Sequence, residues 1–193
     1  TVGFHMNPQS CLDDVVEGLS SGNYKADKHP ALKVNAQLED GGKRELFAFN
    51  DVLLERQTRQ SVRFSVFLDG VLFNKFAGDG FVVATAAGST AYNLAAGGPA
   101  VHPDLAAMVV TPLYPHQAVP FSSVRFSLAV PLDRSLLFEA EDLPKRGMRL
   151  VADGRPLDGA AKVEVQDSGR RITLLRVGNM GFAEVLSRKI IGG

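Results

Sequence analysis

Aspartate, serine, threonine and tyrosine gather in the stretch Gly78-Asp-Gly-Phe-Val-Val-Ala-Thr-Ala-Ala-Gly-Ser-Thr-Ala-Tyr-Asn-Leu-Ala-Ala-Gly-Gly-Pro99. Asp79 is a charged acceptor, Ser89 and Thr90 carry hydroxyls, Tyr92 offers a flat ring, and the small residues between them let backbone N–H groups reach a ligand. Such a set recognises polar groups and does no bond-making by itself. If Ala91–Ala96 begins a helix, its first N–H groups and the positive end of its dipole favour a phosphate, a ribose hydroxyl or a carboxamide oxygen. The same Gly-Ser-Thr pattern also occurs where hydroxyls merely cap a helix, and Ser89 or Thr90 can serve as that cap.

Phe81, Val82, Val83 and Ala84 form a short apolar run suited to a strand buried on both faces, so a strand leads into the turn. Gly97-Gly98-Pro99 stops the helix, because glycine accepts left-handed geometry and proline cannot continue the ladder. Upstream, Leu12, Val15, Val16 and Leu19 fall at helical spacing, with Ser10 as N-cap and Gly22 as C-cap. From Tyr24 the pattern turns to strands. Leu32, Val34 and Ala36 alternate, Asp40-Gly41-Gly42 makes a turn, and Leu46–Leu54 returns as one strand. Phe64, Val66 and Leu68 pair through Asp69-Gly70 with Val71–Phe76. Beyond the central stretch, strands are expected at Met108–Pro112, Val124–Val130, Leu136–Ala140, Arg149–Asp153, Lys162–Gln166 and Ile172–Val177. About ten short strands with few helices predict a mainly β fold: two packed, mostly antiparallel sheets in a single domain over residues 1–193.

With 45% apolar residues and a formal net charge of zero, the chain can bury a sizeable core and presents no overall field to draw nucleic acid or an anionic membrane. Its one cysteine, Cys11, cannot form an internal disulfide, and no apolar run reaches the roughly 20 residues of a membrane span. A reducing, cytoplasmic setting is expected. The start at Thr1-Val-Gly-Phe4 suggests a chain cut from something longer. Sheet edges commonly pair across subunits, and a homo-oligomer is expected.

The order of the central string resembles the Asp-Gly, Thr-Pro-Thr-Gly-Ser-Thr-Ala-Tyr and Gly-Gly-Pro signature of the NAD kinase family. The likeness is collinear over nearly the whole chain. Thr1-Val-Gly-Phe4 resembles the end of the family's Gly-His-Leu-Gly-Phe segment, and Gly22-Asn-Tyr24 its Gly-Glu-Tyr. Asn50-Asp51 matches its Asn-Glu or Asn-Asp pair, Thr111-Pro-Leu-Tyr-Pro-His116 its Thr-Pro-Ile-x-Pro-His, and Asp153-Gly154 a later Asp-Gly. The resemblance implies a β-sandwich lobe supplying most of the dinucleotide site of an enzyme that phosphorylates the adenosine 2′-hydroxyl of NAD, giving NADP. ATP or polyphosphate would be the donor, with Mg.

Carried over by position, Phe4 would border the adenine end and Asn50 would hold adenine or ribose, with Asp51 beside it. Asp79 would accept from the nicotinamide ribose or carboxamide. Ser89, Thr90 and Ala91 would meet the ligand from the turn, Tyr92 would pack against it, and Ala95 would lie one turn further along. Each has a plainer reading as well: an Asn-Asp pair can be a bend, an Asp-Gly pair a turn, and a tyrosine in a first helical turn a core cover.

The chain departs from the family pattern where Thr85-Ala-Ala-Gly88 replaces Thr-Pro-Thr-Gly, and where Pro120-Phe-Ser122 stands after the Pro-His segment. His29 stands where members have an arginine. The family's Gly-Gly-Asp-Gly-Thr motif, whose glycines cradle phosphates and whose aspartate acts as acid and base, would precede residue 1 in an N-terminal α/β lobe. No catalytic residue and no metal ligand is therefore placed in this chain. Two other readings are a non-catalytic nucleotide-binding or oligomerisation module and the equivalent lobe of a lipid or sugar kinase.

Overall fold

A computed structural model of the chain describes residues 12–118, 121–178 and 181–191. They form two compact units, Pro30–Arg170 and a smaller one made from the residues up to His29 and those from Arg171 onward. Phe4 and Ser10 lie outside the described residues.

In chain order the strands are β1 (Tyr24–Leu38), β2 (Lys43–Ala48), β3 (Asp51–Arg56), β4 (Val62–Leu68), β5 (Val71–Gly78), β6 (Gly80–Thr85) and β7 (Ala107–Leu113). They continue as β8 (Gln117–Ala118), β9 (Phe121–Ser122), β10 (Leu128–Pro131), β11 (Leu136–Ala140), β12 (Met148–Ala152), β13 (Arg155–Asp158) and β14 (Ala160–Val177). One sheet runs β2-β1-β14-β11-β4-β5, the other β10-β7-β6-β3-β12-β13, and β8 and β9 pair by themselves. The mainly β, two-sheet architecture is the one the sequence predicts.

Within the larger unit, alternation explains the packing. Leu32, Val34, Phe64, Val66, Phe138 and Val163 point inward from the first sheet to meet Val52, Leu54, Phe81, Val83, Met108 and Leu150 from the second in one buried cluster. Phe76 and Phe81, from opposite sheets, have ring centroids 4.3 Å apart, and Phe81 and Phe138 5.3 Å. β6 is buried along its whole length, so it lies in the interior of its sheet between β3 and β7.

Three expectations need correction. The segment Leu46–Leu54 is not one strand: it breaks at Asn50, leaving β2 in one sheet and β3 in the other. Side-chain bonds from Asp153, described below, hold that bend. Lys162–Gln166 and Ile172–Val177 are parts of the single strand β14. Gly169 is left-handed (φ 71°) and its N–H bonds to the Asp167 carboxylate at 3.0 Å, yet Ser168-Gly169 lies within the one strand. Finally, of the expected Val124–Val130 strand only the part from Leu128 pairs, as β10 (Leu128–Pro131) with β7. The Asp69-Gly70 hairpin forms as predicted, with both residues left-handed (φ 50° and 78°).

The smaller unit contains α1 (Leu12–Ser20), ended by left-handed Gly22 (φ 74°), as expected. Gly18 is the helix's buried residue: a Cβ there would meet a methyl of Val177 at 2.4 Å.

Candidate functional site

The site grows from the bend at Asn50. The carboxylate of Asp153, whose own backbone is left-handed (φ 45°), accepts the N–H of Phe49 at 2.6 Å, of Asn50 at 2.8 Å and of Asp51 at 3.2 Å. Thr85, at the end of β6, donates its hydroxyl to the Phe49 carbonyl at 2.8 Å. Four polar groups that a bend would strand inside protein are thereby satisfied. The chain crosses from one sheet to the other without a loop.

The same Thr85 hydroxyl accepts the N–H of Gly88 at 2.8 Å, which turns β6 into a short 3₁₀ segment, Ala87–Thr90. Gly88 has to be glycine because a Cβ would sit 2.0 Å from the Asn50 carbonyl oxygen. Two segments of the site, 38 positions apart in sequence, touch backbone to backbone at this point.

Neither Ser89 nor Thr90 caps the helix. Helix α2 (Tyr92–Ala95) starts from Ala91, with no side-chain cap bond. Ser89 is fully buried and its hydroxyl is spent inside, donating to the Ala86 carbonyl at 2.7 Å and accepting the Val101 N–H at 2.9 Å. The hydroxyl that caps the turn is that of Thr85. Helix α2 ends as expected at left-handed Gly97 (φ 85°), where the Gly98 N–H bonds to the Asn93 carbonyl at 2.8 Å.

Asp51 lies at the start of β3, opposite Ala84, and its carboxylate accepts the backbone N–H of Tyr92. Burial, with the neighbouring Asp153 charge adding to it, pushes Asp51 up from 3.8 to about 6, against the pull of the Tyr92 N–H. A half-buried acid at the opening turn of α2 can accept from a ribose hydroxyl as a carboxylate or donate as an acid. Asn50 and Thr90 are half-buried, and Ala91, Tyr92 and Ala95 are exposed.

Asp79 stands apart from this group. β3 and β6 are antiparallel, with Asp51 facing Ala84 and Glu55 facing Gly80, so Asp51 and Asp79 lie at opposite ends of β6. At about 3.3 Å per residue those ends are about 17 Å apart. Gly80 is required there: it is left-handed (φ 151°) and a Cβ would fall 1.8 Å from the Leu54 carbonyl. The Asp79 backbone is pinned, its N–H to the Leu113 carbonyl and its carbonyl to the Arg56 N–H, both at 2.9 Å. Its side chain points outward to Arg56 Nε at 2.8 Å. A cleft of about 230 Å³ lies there, lined by Glu55, Arg56, Thr58, Asp79, Tyr92, Leu113 and Tyr114. Tyr92 therefore belongs to both ends, by its N–H to Asp51 and by its side chain to the cleft.

Residue types in the sequence did not reveal three supporting groups. Asp153 was visible only as part of a matching Asp-Gly pair. Asn93 is fully buried and ties the turn down, donating to the carbonyls of Ser89 at 2.9 Å and Pro99 at 3.1 Å and accepting the Thr111 hydroxyl at 2.7 Å. Arg56 carried no pattern that marked it as the partner of Asp79. Among the described residues no group of three or more His, Cys, Asp or Glu side chains can hold a metal ion, and no helix is long and apolar enough to cross a membrane.

Comparison with known proteins gives the family and the fold. Residues 49–124, which include the Asn50 bend, β6 and the turn after it, match the ATP-NAD kinase C-terminal domain. The chain is 33% identical over 188 residues to the NAD kinase of Clostridium beijerinckii, covering 94% of this chain and 63% of that protein. It is 37% identical over 147 residues to the NAD kinase of Caldicellulosiruptor bescii, covering 75% and 54%. The chain thus spans less than two thirds of the length of these relatives. Its fold is similar to that of a yeast NADH kinase solved with NADH (TM-score 0.79, 24% identity, covering 93% of this chain and 52% of that one). A similar fold occurs in an NAD kinase from Archaeoglobus fulgidus solved with ATP (TM-score 0.73, 22% identity, covering 96% and 70%).

Proposed function

Because the chain belongs to the NAD kinase family, whose C-terminal domain it carries, we propose that it is the dinucleotide-binding lobe of an enzyme that phosphorylates the adenosine 2′-hydroxyl of NAD with ATP to give NADP. One observation carries the reading: Asp153, Thr85 and Gly88 lock Asn50-Asp51 against the start of α2, where the Asp51 carboxylate and the Tyr92 backbone meet. An ordinary strand-to-helix turn needs no such lock, and no half-buried acid whose proton affinity is raised.

In this reading Asn50 and Asp51 hold the adenine or ribose end, with Phe4 bordering it. Thr90, Ala91 and Tyr92 meet the nicotinamide half, Ala95 lies beyond them, and Asp79 accepts from the nicotinamide ribose or carboxamide. Ser89 acts from beneath, as a buried brace of the turn. Phosphoryl transfer requires a phosphate cradle and charge neutralisation, which these residues do not offer. The catalytic acid–base group, the donor ATP or polyphosphate and its Mg are assigned to an N-terminal α/β lobe outside these 193 residues. The working protein would be a cytoplasmic homo-oligomer that binds NAD and releases NADP.

Calorimetric titration together with a coupled NADP assay tests the proposal. The 193-residue chain should bind NAD and form no NADP from NAD and ATP. Turnover by this chain alone would refute the placement of the catalytic group, and absence of NAD binding would refute the dinucleotide reading.

A further inference from the structure

Across the outer face of the first sheet the side chains sort into two rows. Register sets Glu45 beside Asn35 and Glu164 beside Leu137, and the Asn35 amide donates to Glu164 at 3.1 Å. These four therefore form one row across β2, β1, β14 and β11. Two residues along each strand, Lys43 is set beside Gln37 and Lys162 beside Glu139, a second row about 7 Å from the first. An open pocket of about 600 Å³ lies over both rows. That volume is within the range that small molecules occupy.

Cross-strand pairing cancels charges on such a face, and here it cancels only some. Lys33 meets Glu45 at 2.7 Å and Lys162 meets Glu139 at 2.6 Å. Glu164 is left with neutral donors: half-buried, it accepts Asn35 on one oxygen and the Ser135 hydroxyl, at 3.2 Å, on the other. Among the described residues no basic side chain bonds to it. On the edge strand β2, Lys43 and Arg44 pair with no acid among the described residues, and Arg44 turns to the Lys43 carbonyl at 2.9 Å. A carboxylate steered by two neutral donors is fixed in direction and keeps lone pairs for a cation. The pocket therefore has an anionic pole at Glu164, a cationic pole at Lys43 and Arg44, and the half-buried Leu137 as apolar lining.

We propose that this pocket is a second binding site, for a small dipolar molecule with an amine and a carboxylate at opposite ends of an alkyl stem, the chemistry of a free basic amino acid. The amine meets Glu164, the stem lies against Leu137, and the carboxylate is taken by Lys43 and Arg44. The spacing of the rows is about the length of a four-carbon stem. The site is on the opposite sheet from the one that carries Asp51 and Asp79, and it does not depend on the dinucleotide reading.

The ¹⁵N-labelled chain is titrated at low salt, followed by amide NMR shifts, with L-lysine, with L-norleucine, which keeps the stem and lacks the side-chain amine, and with cadaverine, which lacks the carboxylate. Lysine should give saturable shifts confined to β1, β2, β11 and β14 and bind at least about fivefold more tightly than either analogue. Glu164→Gln, whose amide oxygen can still accept from Asn35 or Ser135, should lose about fivefold for lysine with unfolding unchanged. The exposed Lys43→Ala variant should do the same, so the test survives if the first variant perturbs the sheet. Equal binding of all three ligands, shifts scattered over the surface, no saturable binding of lysine, or parental affinity in both variants would overturn the inference.

Discussion

The two ends of β6 are built in opposite ways. At the Thr85 end the backbone is interlocked: one carboxylate takes three N–H groups, one threonine hydroxyl serves two backbone partners, and Gly88 touches the Asn50 carbonyl. At the Asp79 end the backbone is pinned but the side chains are open, with an ion pair whose partners are 38% and 30% exposed and two tyrosines beside it. The first end concentrates stability and fixes a shape; the second spends little of the fold's stability and leaves its chemistry free for a ligand. Substitutions should separate the two, with unfolding the sensitive readout at one end and affinity at the other.

The largest effect should come from Gly88→Ala. A methyl group 2.0 Å from a carbonyl oxygen cannot be accommodated without parting the bend from the turn, so denaturant unfolding should show a loss of about 3 kcal/mol or more. A variant as stable as the parent would show that the contact is loose, and the contrast between the two ends would collapse.

Next in size is the titration of Asp51. Its folded value of about 6 lies above its unfolded value of about 3.9, so between those values the folded state holds more protons than the unfolded one. Stability from this group is greatest below pH 4 and falls as pH rises through 6, on the order of 2 kcal/mol in all once solvent screening of a half-buried group is allowed for. Asp51→Asn keeps an oxygen for the Tyr92 N–H and removes the charge. It should match the parent at pH 4 and exceed it in stability at pH 7.5. A constant difference across that range would mean that burial does not hold Asp51 away from its usual value.

Smaller again in stability is Asp79→Asn. Removing one charge from an exposed pair should change unfolding by at most about 1 kcal/mol, while NAD affinity should fall by about one to two decades through loss of a charge-assisted acceptor. A lower melting temperature with unchanged affinity would make Asp79 a turn residue and nothing more.

How much of this was legible beforehand follows from how local each feature is. The Asp69-Gly70 hairpin, the apolar run of β6 and the glycine stop of α2 depend on neighbours in sequence, and the alternation of Leu32, Val34 and Ala36 announces its own buried face. The break at Asn50 does not, because Asp153 enforces it from about a hundred residues away. The type of Ser89 suits a helix cap or a contact to the ligand, and only the fold reveals Val101 behind it. The continuity of β14 was hidden by a Ser-Gly pair that normally reverses a chain and here lies within a strand. Asn93 has no sequence mark at all, since its partners Pro99 and Thr111 are brought to it by the turn that it holds in place.

The most direct test of the account is Thr90→Val, with NAD affinity and unfolding measured on the same variant. Valine keeps the branched shape and deletes one hydroxyl, and the helix is not capped by a side chain, so stability should stay within about 0.5 kcal/mol of the parent. NAD affinity, read by calorimetric titration, should fall by about tenfold as one hydrogen bond to the ligand is lost. A clear loss of stability with intact NAD affinity would contradict the claim that this turn is a dinucleotide site and return it to an ordinary connection between strand and helix.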